Sequence, residues 1–228
     1  MNDSVDSIIE NIIPRHLGAS EINYQFNLNA DIDLHALNQA LTDPIWELLD
    51  RGGKRWRPKL FSLTVEACDG DIDRVRDFIA FPELLHTGSL IIDDIEDDSL
   101  KRRGEEVLHE KYDIDIAINA GNFLYFLPLK ILKDHKDKFS SDILLQIYSI
   151  YTEKILELHF GQGIDIQWQI RRKKSVTEDK YLSMCALKSG SLAELTAKLA
   201  AVLCDVSSKK TEILGKLGKN IGVVFQII

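Results

Sequence analysis

Five carboxylates occupy six consecutive positions in Asp93-Asp94-Ile95-Glu96-Asp97-Asp98, and Lys101-Arg102-Arg103 follows closely. On a helix, residues i and i+4 share a face and i+1 lies about 100° away, so Asp93 and Asp97 project together with Asp94 beside them. Like charges that close raise one another's pKa and weaken the helix unless a hard cation or a cationic partner neutralises them. Mg2+ suits such a set. It keeps several waters and is usually held by a few carboxylates plus substrate phosphates, and the neighbouring arginines suit bidentate phosphate recognition.

A second constellation is Gly52-Gly53-Lys54-Arg55-Trp56-Arg57-Pro58. Paired glycines let a backbone approach a ligand, and Pro58 suits the first turn of a following helix. Lys54 and Arg57 add cations near that helix's positive end. The segment is a candidate anion site. A solvated basic loop has the same composition, so taken alone it leaves both readings open.

The elements that must position these groups are helical. Ile143, Leu144, Ile147, Ile150, Tyr151, Ile155 and Leu158 recur at three- and four-residue steps, as do Leu187, Leu192, Leu195, Leu199 and Val202. Alternating strand patterns are absent. Breaks are expected at Asp43-Pro44, Gly52-Gly53, 68–71, 133–141, 171–177 and 206–208, leaving seven or eight helices. The expected fold is an all-α bundle with the acidic cluster at the end of a hydrophobic central helix. No composition shift marks a second domain, so residues 1–228 are expected to form one.

Composition narrows the function class. Of the 228 residues, 45% are hydrophobic and 28% charged, enough apolar material for a substantial core. The net charge of −8 does not attract nucleic acid broadly. Cys68, Cys185 and Cys204 are odd in number, widely spaced and in apolar context, as reduced thiols of a cytoplasmic protein would be. The apolar runs are too short for a transmembrane segment, and the first residues form no basic leader.

In combination the motifs are far more specific than either alone. Gly52 to Pro58, Glu83 to Asp94, Asp97 and Leu100-Lys101-Arg102-Arg103-Gly104 come first. Gly161-Gln162-Gly163-Ile164-Asp165, Leu187-Lys188-Ser189-Gly190 and Ile221-Gly222-Val223-Val224-Phe225-Gln226 follow. In this order the chain resembles the trans-isoprenyl diphosphate synthases, from about residue 35 to its last residue. Residues 1–34 are unmatched. The resemblance implies an isoprenoid-synthase-type helical bundle with a central apolar cavity. It implies Mg2+-dependent condensation of isopentenyl diphosphate with an allylic diphosphate into a longer all-trans chain.

By the same resemblance, Asp93, Asp94 and Asp97 match the first aspartate-rich motif, whose carboxylates hold Mg2+ against the allylic diphosphate. Gly53, Lys54, Arg57, His86 and Arg103 match the region that binds isopentenyl diphosphate, and Arg102 a position that touches the allylic diphosphate. Lys188 matches the lysine that holds the leaving diphosphate. Ser189 stands where threonine is usual, and Gln226 belongs to the Phe-Gln pair. Gln162 and Asp165 sit on a family motif, although a hydrogen-bonding role within the helix explains them equally.

Product length in this family is set largely on the helical turn before the first motif. Gly88 and Ser89 are small there, which implies a geranylgeranyl-length product or longer. Phe123, Tyr125 and Phe126 are alternative floors, and Gly88 has a second reading as a close helix-packing position. His109, His135 and His159 lack metal-ligand spacing, and Arg171-Arg172-Lys173-Lys174 reads as a solvated run.

Family members place a second aspartate-rich motif just after the Phe-Gln pair, whereas this sequence runs Phe225-Gln226-Ile227-Ile228. Three readings stay open. A second chain carries that motif and completes the C-terminal helices, the chain is a regulatory subunit of a complete synthase, or it is truncated and inactive alone. Family members are commonly dimers, so a homo- or hetero-oligomer is expected. A terpene-cyclase-like activity is the remaining enzymatic alternative, disfavoured by the intact Gly52 to Pro58 segment.

Overall fold

The computed structural model describes residues 4–28, 31–170 and 175–227; the basic run 171–174 and Ile228 lie outside the described residues. In chain order the helices begin with α1 (Val5–Ile12), α2 (Ala19–Phe26), α3 (Leu34–Leu37), α4 (Asp43–Asp50), α5 (Trp56–Ala67) and α6 (Phe81–Glu96). They continue with α7 (Leu108–Lys111), α8 (Ile114–Asp134), α9 (Ser141–Ile170), α10 (Glu178–Cys185), α11 (Ser191–Leu203) and α12 (Ser208–Ile227). The strands among the described residues are β1 (Lys101–Arg102) and β2 (Glu105–Glu106), paired antiparallel. The all-α class expected from periodicity is the one observed. Among the described residues no helix is long and apolar enough to cross a membrane.

The chain divides into two compact units, Met1–Arg55 with Glu83–Ile131 and Trp56–Pro82 with Leu132–Ile228. In the first, α1 buries Ile8, Ile9 and Ile12 as a helical stripe, and Ser4 caps it by accepting the N–H of Ser7 at 3.2 Å. Trp46 ties α4 to this segment through its indole N–H and the Ile13 carbonyl, 3.2 Å apart. The break expected at Asp43-Pro44 does not occur. Pro44 has no N–H for the helical ladder and its ring crowds the carbonyl four residues back. The chain absorbs this by widening into a π turn over Asn38–Thr42, where the Asp43 N–H donates to Asn38, and continues into α4.

Where α6 crosses α8, the two backbones meet at glycines. A Cβ on Gly88 would lie 2.9 Å from the Gly121 carbonyl and 2.9 Å from Leu124 Cβ, so the missing side chain is what lets the helices close. Leu84, Leu85 and Ile91 on α6 are fully buried.

In the second unit α11 is the central element, and every one of its residues is buried, Glu194 and Lys198 included. Its leucine periodicity therefore does not mark a core face. Along α9 the buried stripe is Ile147, Tyr151, Lys154, Leu158 and Gly161, an i, i+4, i+7 pattern with a lysine inside it. That lysine is satisfied by Glu157 at 2.8 Å and Glu194 at 3.2 Å, and Glu194 also meets Lys198 at 3.1 Å. The helix α12 approaches α11 through Gly218 and Gly222, against the backbone at Ala193 and Ser189. Cys68, Cys185 and Cys204 are free thiols.

Candidate functional site

The acidic cluster falls on the last turns of α6 and the turn after it. The Asp97 N–H donates to the Asp93 carbonyl at 2.9 Å, so these two aspartates are one helical turn apart. The carboxyl end of a helix carries partial negative charge of its own, which adds to the demand for a cation there. Arg102 meets that demand. Its Nε donates to both carboxylate oxygens of Asp94 at 2.9 and 3.1 Å, and Nη2 reaches Asp94 again and Asp93 at 3.4 Å. Asp94 is buried, whereas Asp93 and Asp97 are half-buried. Burial disfavours the charge on Arg102, but Asp94 outweighs it and raises the guanidinium pKa.

A tight hairpin puts Arg102 there. Arg103 and Gly104 both have positive φ, 55° and 88°, as the central residues of a type I′ turn require. The Arg102 carbonyl accepts from Arg51 at 3.3 Å. Arg103 points elsewhere. Its Nη1 donates to the carbonyls of Leu48, at 3.1 Å, and Gly52. Gly53 lies directly under that guanidinium, since a Cβ there would be 2.9 Å from Nη2. Burial, and then the neighbouring Arg55 charge, lowers the pKa of Arg103.

Two residues to which the sequence alone assigns no role hold this region in place. Arg55, with φ of 44°, donates to the buried Glu83 at 2.5 Å, to Asp6 at 2.8 Å and to the Leu49 carbonyl at 2.9 Å. The signal was present, because an acid inside an apolar helix needs a partner, but nothing local names that partner. Glu47 likewise gathers Arg51, Lys111 and Tyr112. Lys54 is exposed and His86 half-buried. The Ser89 hydroxyl donates back to the His86 carbonyl at 2.8 Å. Of the aromatic residues considered as a floor, Tyr125 is buried, Phe123 meets Phe26 at 6.5 Å between centroids, and Phe126 projects outward, 68% exposed.

In the second unit Lys188 and Ser189 sit inside the π turn Ala186–Gly190, a widened turn of the kind often found at functional positions. Lys188 donates to Asp165 at 2.8 Å. Ser189 donates to Gln226, which joins two of the expected site residues directly. Gly161 makes this possible, because a Cβ there would stand 2.3 Å from the Lys188 backbone nitrogen. Arg57, buried on the first turn of α5, lies with its guanidinium 4.4 Å over the Trp56 ring. Trp56 in turn stacks on Phe225 at 4.4 Å.

As placed, no three His, Cys, Asp or Glu side chains among the described residues converge on one metal position. The donor set nevertheless fits Mg2+. Asp93 and Asp97 offer hard oxygen ligands one turn apart with Asp94 beside them, and both Asp94 oxygens already face a cation.

A sequence model of the polyprenyl synthetase family matches residues 38–228. The chain is 35% identical over 205 residues to a geranylgeranyl pyrophosphate synthase of Penicillium paxilli, covering 88% of this chain and 51% of that protein. It is 28% identical over 188 residues to the geranylgeranyl diphosphate synthase of Sulfolobus acidocaldarius, covering 82% and 56% respectively. The solved geranylgeranyl pyrophosphate synthetase of Geoglobus acetivorans superposes with a TM-score of 0.79 at 25% identity, over 99% of this chain and 68% of that one. The corresponding Pyrococcus horikoshii structure gives 0.78 at 26% identity, over 99% and 66%. The chain spans about half the length of the curated relatives it matches.

Proposed function

The chain belongs to the polyprenyl synthetase family, and from that premise we propose that it serves Mg2+-dependent prenyl transfer, joining isopentenyl diphosphate to an allylic diphosphate and giving a product of geranylgeranyl length. The observation that carries this reading is the acidic end of α6, where the adjacent carboxylates of Asp93 and Asp94 already draw a guanidinium onto themselves.

Ionisation of an allylic carbon–oxygen bond leaves a carbocation and a diphosphate of high negative charge. Groups that bind the diphosphate more tightly as that charge grows accelerate the step. In this proposal Lys188 and Arg102 bind the leaving diphosphate, while Lys54, Arg57, His86 and Arg103 bind that of isopentenyl diphosphate. Ser189 and Gln226, hydrogen-bonded to each other, hold the π turn that presents Lys188. Mg2+ bound by Asp93, Asp94 and Asp97 would supply further positive charge to the diphosphate. The apolar side chains of the bundle cannot trap a carbocation and exclude the water that would. The double bond of isopentenyl diphosphate attacks the carbocation, so no protein nucleophile is required, and the proton then lost goes to the departing diphosphate.

That the working form is an oligomer is part of the same proposal, supported by the resemblance alone. The deciding experiment offers the chain, alone and with any copurifying protein, isopentenyl and farnesyl diphosphates with Mg2+ and follows chain elongation. Geranylgeranyl diphosphate that disappears with a chelator and with Asp93→Asn is the expected result. Diphosphate release without elongation would instead establish a cyclase-like activity. Elongation by an assembly that is indifferent to Asp93→Asn would make this chain a regulatory subunit. Native mass spectrometry of the purified protein tests the oligomeric state.

A further inference from the structure

We propose that Cys68 and Cys204 form an oxidative modification site, a dithiol that a small disulfide converts into a covalent bridge between the C-terminal ends of α5 and α11. The two helices end in the same way. After α5 the Gly70 N–H donates to the Val65 carbonyl and the Asp69 N–H to that of Glu66, both at 2.9 Å. After α11 the Val206 N–H donates to Ala201 at 3.4 Å and the Asp205 N–H to Val202 at 3.0 Å. Each end is a Schellman motif with an aspartate in the left-handed region, at φ 55° for Asp69 and 54° for Asp205. Cys68 and Cys204 therefore hold equivalent cap positions, one residue past two helices that pack on each other. Their thiols are hydrogen-bonded to each other. Gly70 makes the space, because a Cβ there would collide with Cys204 Sγ.

Two sulfurs already in contact on cap residues reach bonding distance by side-chain rotation and small shifts of the turns, with neither helix unwound. Burial raises the pKa of both thiols, that of Cys204 to about 11, so the pair rests reduced at neutral pH and exchanges slowly. The charge of Lys210, whose Nζ donates to the Ala67 carbonyl at 3.0 Å, opposes burial at both sulfurs. Cys204 is the more exposed of the two. Its thiolate attacks one sulfur of the incoming disulfide, which forms a mixed disulfide and releases one thiol. Cys68 then attacks Cys204 Sγ and expels the second. The pair is oxidised and the incoming disulfide reduced; its two released thiols carry the two hydrogens, so no other oxidant is needed. Cys185, fully buried and hydrogen-bonded to Tyr181, stays outside the pair. The bridge joins residues far apart in the chain, the case in which a cross-link constrains the unfolded state most.

The test treats the full chain with oxidised glutathione under native conditions, alkylates the remaining thiols in denaturant and maps the digested peptides by mass spectrometry. The expected product is monomer-sized on a non-reducing gel, with one cross-linked peptide joining Cys68 to Cys204 and with Cys185 alkylated. Its melting temperature should exceed that of the reduced protein by roughly 10 °C, the scale of a long-loop disulfide in a chain of this size. Dithiothreitol should reverse the shift, and Cys204→Ser should not show it. Glutathione left on Cys204, a bridge between chains, a pair that includes Cys185, or three thiols that all stay free would overturn the proposal. So would a Cys68 to Cys204 link that leaves the melting temperature unchanged. The wild-type peptide map decides the pairing even where Cys204→Ser fails to fold.

Discussion

The ammonium group of Lys188 donates to the carboxylate of Asp165 at 2.8 Å, across from a π turn to α9, with both side chains largely buried. A lysine is a flexible point charge, and this contact selects one of its many rotamers. Asp165→Asn keeps the shape and removes the countercharge. If Lys188 binds the leaving diphosphate, KM for the allylic substrate is expected to rise by about tenfold, with circular dichroism and melting temperature nearly unchanged. A loss confined to thermal stability would restrict Asp165 to a structural role.

Gly161 is the position at which α9 passes the backbone of Lys188. The 2.3 Å approach available to a Cβ is closer than backbone atoms tolerate, so Gly161→Ala must push α9 away from the π turn. Overpacking of this kind costs about 1–3 kcal/mol, to be read from urea denaturation. Gly163→Ala is the control, because its Cβ would meet nothing within 4 Å.

Arg55 and Glu83 form a buried ion pair, with side chains 15% and 3% exposed. Removing one member strands the other, at about 3–5 kcal/mol, whereas replacing both with apolar residues restores much of that loss. Arg55→Met should therefore be markedly less stable than the double variant Arg55→Met/Glu83→Met. Equal stability of the two would mean that solvent reaches Glu83 once Arg55 is gone.

Glu47 sets a pH dependence. Burial pushes its pKa up, but Lys111, Arg51 and Tyr112 outweigh burial and bring it from 4.5 down to about 2. A carboxylate whose folded pKa is depressed contributes stability that is complete above its unfolded pKa and is lost as pH falls through the folded one. The window here runs from about 4.5 to about 2. Glu47→Gln should be less stable than wild type at neutral pH by up to about 3 kcal/mol, read from urea denaturation, and the two stabilities should converge as pH falls through that window.

Much of the molecule is legible in its sequence. The three- and four-residue steps in 143–158 belong to α9, and the glycines at 52 and 53 separate α4 from α5. Other features escaped because the deciding force was not local. Asp43-Pro44 has the composition of a helix break, and only a widened turn lets the helix pass through it. Lys154 has the composition of a solvated face and is buried against Glu157 and Glu194. Gly88, small in sequence, could have opened a pocket or closed a helix crossing; its contact distances to Gly121 and Leu124 come from packing.

The sequence by itself set Asp93 and Asp97 one helical turn apart with Asp94 beside them, because helical spacing is a property of the local backbone. It placed two arginines side by side at 102 and 103, and local spacing does not say which protein groups each one meets. The tertiary structure decided that. A tight turn sends Arg102 to Asp94 and Arg103 to the carbonyls of Leu48 and Gly52, about fifty residues away. The charge partner of a side chain depends on distances between segments far apart in the chain, and only the packed fold sets those distances.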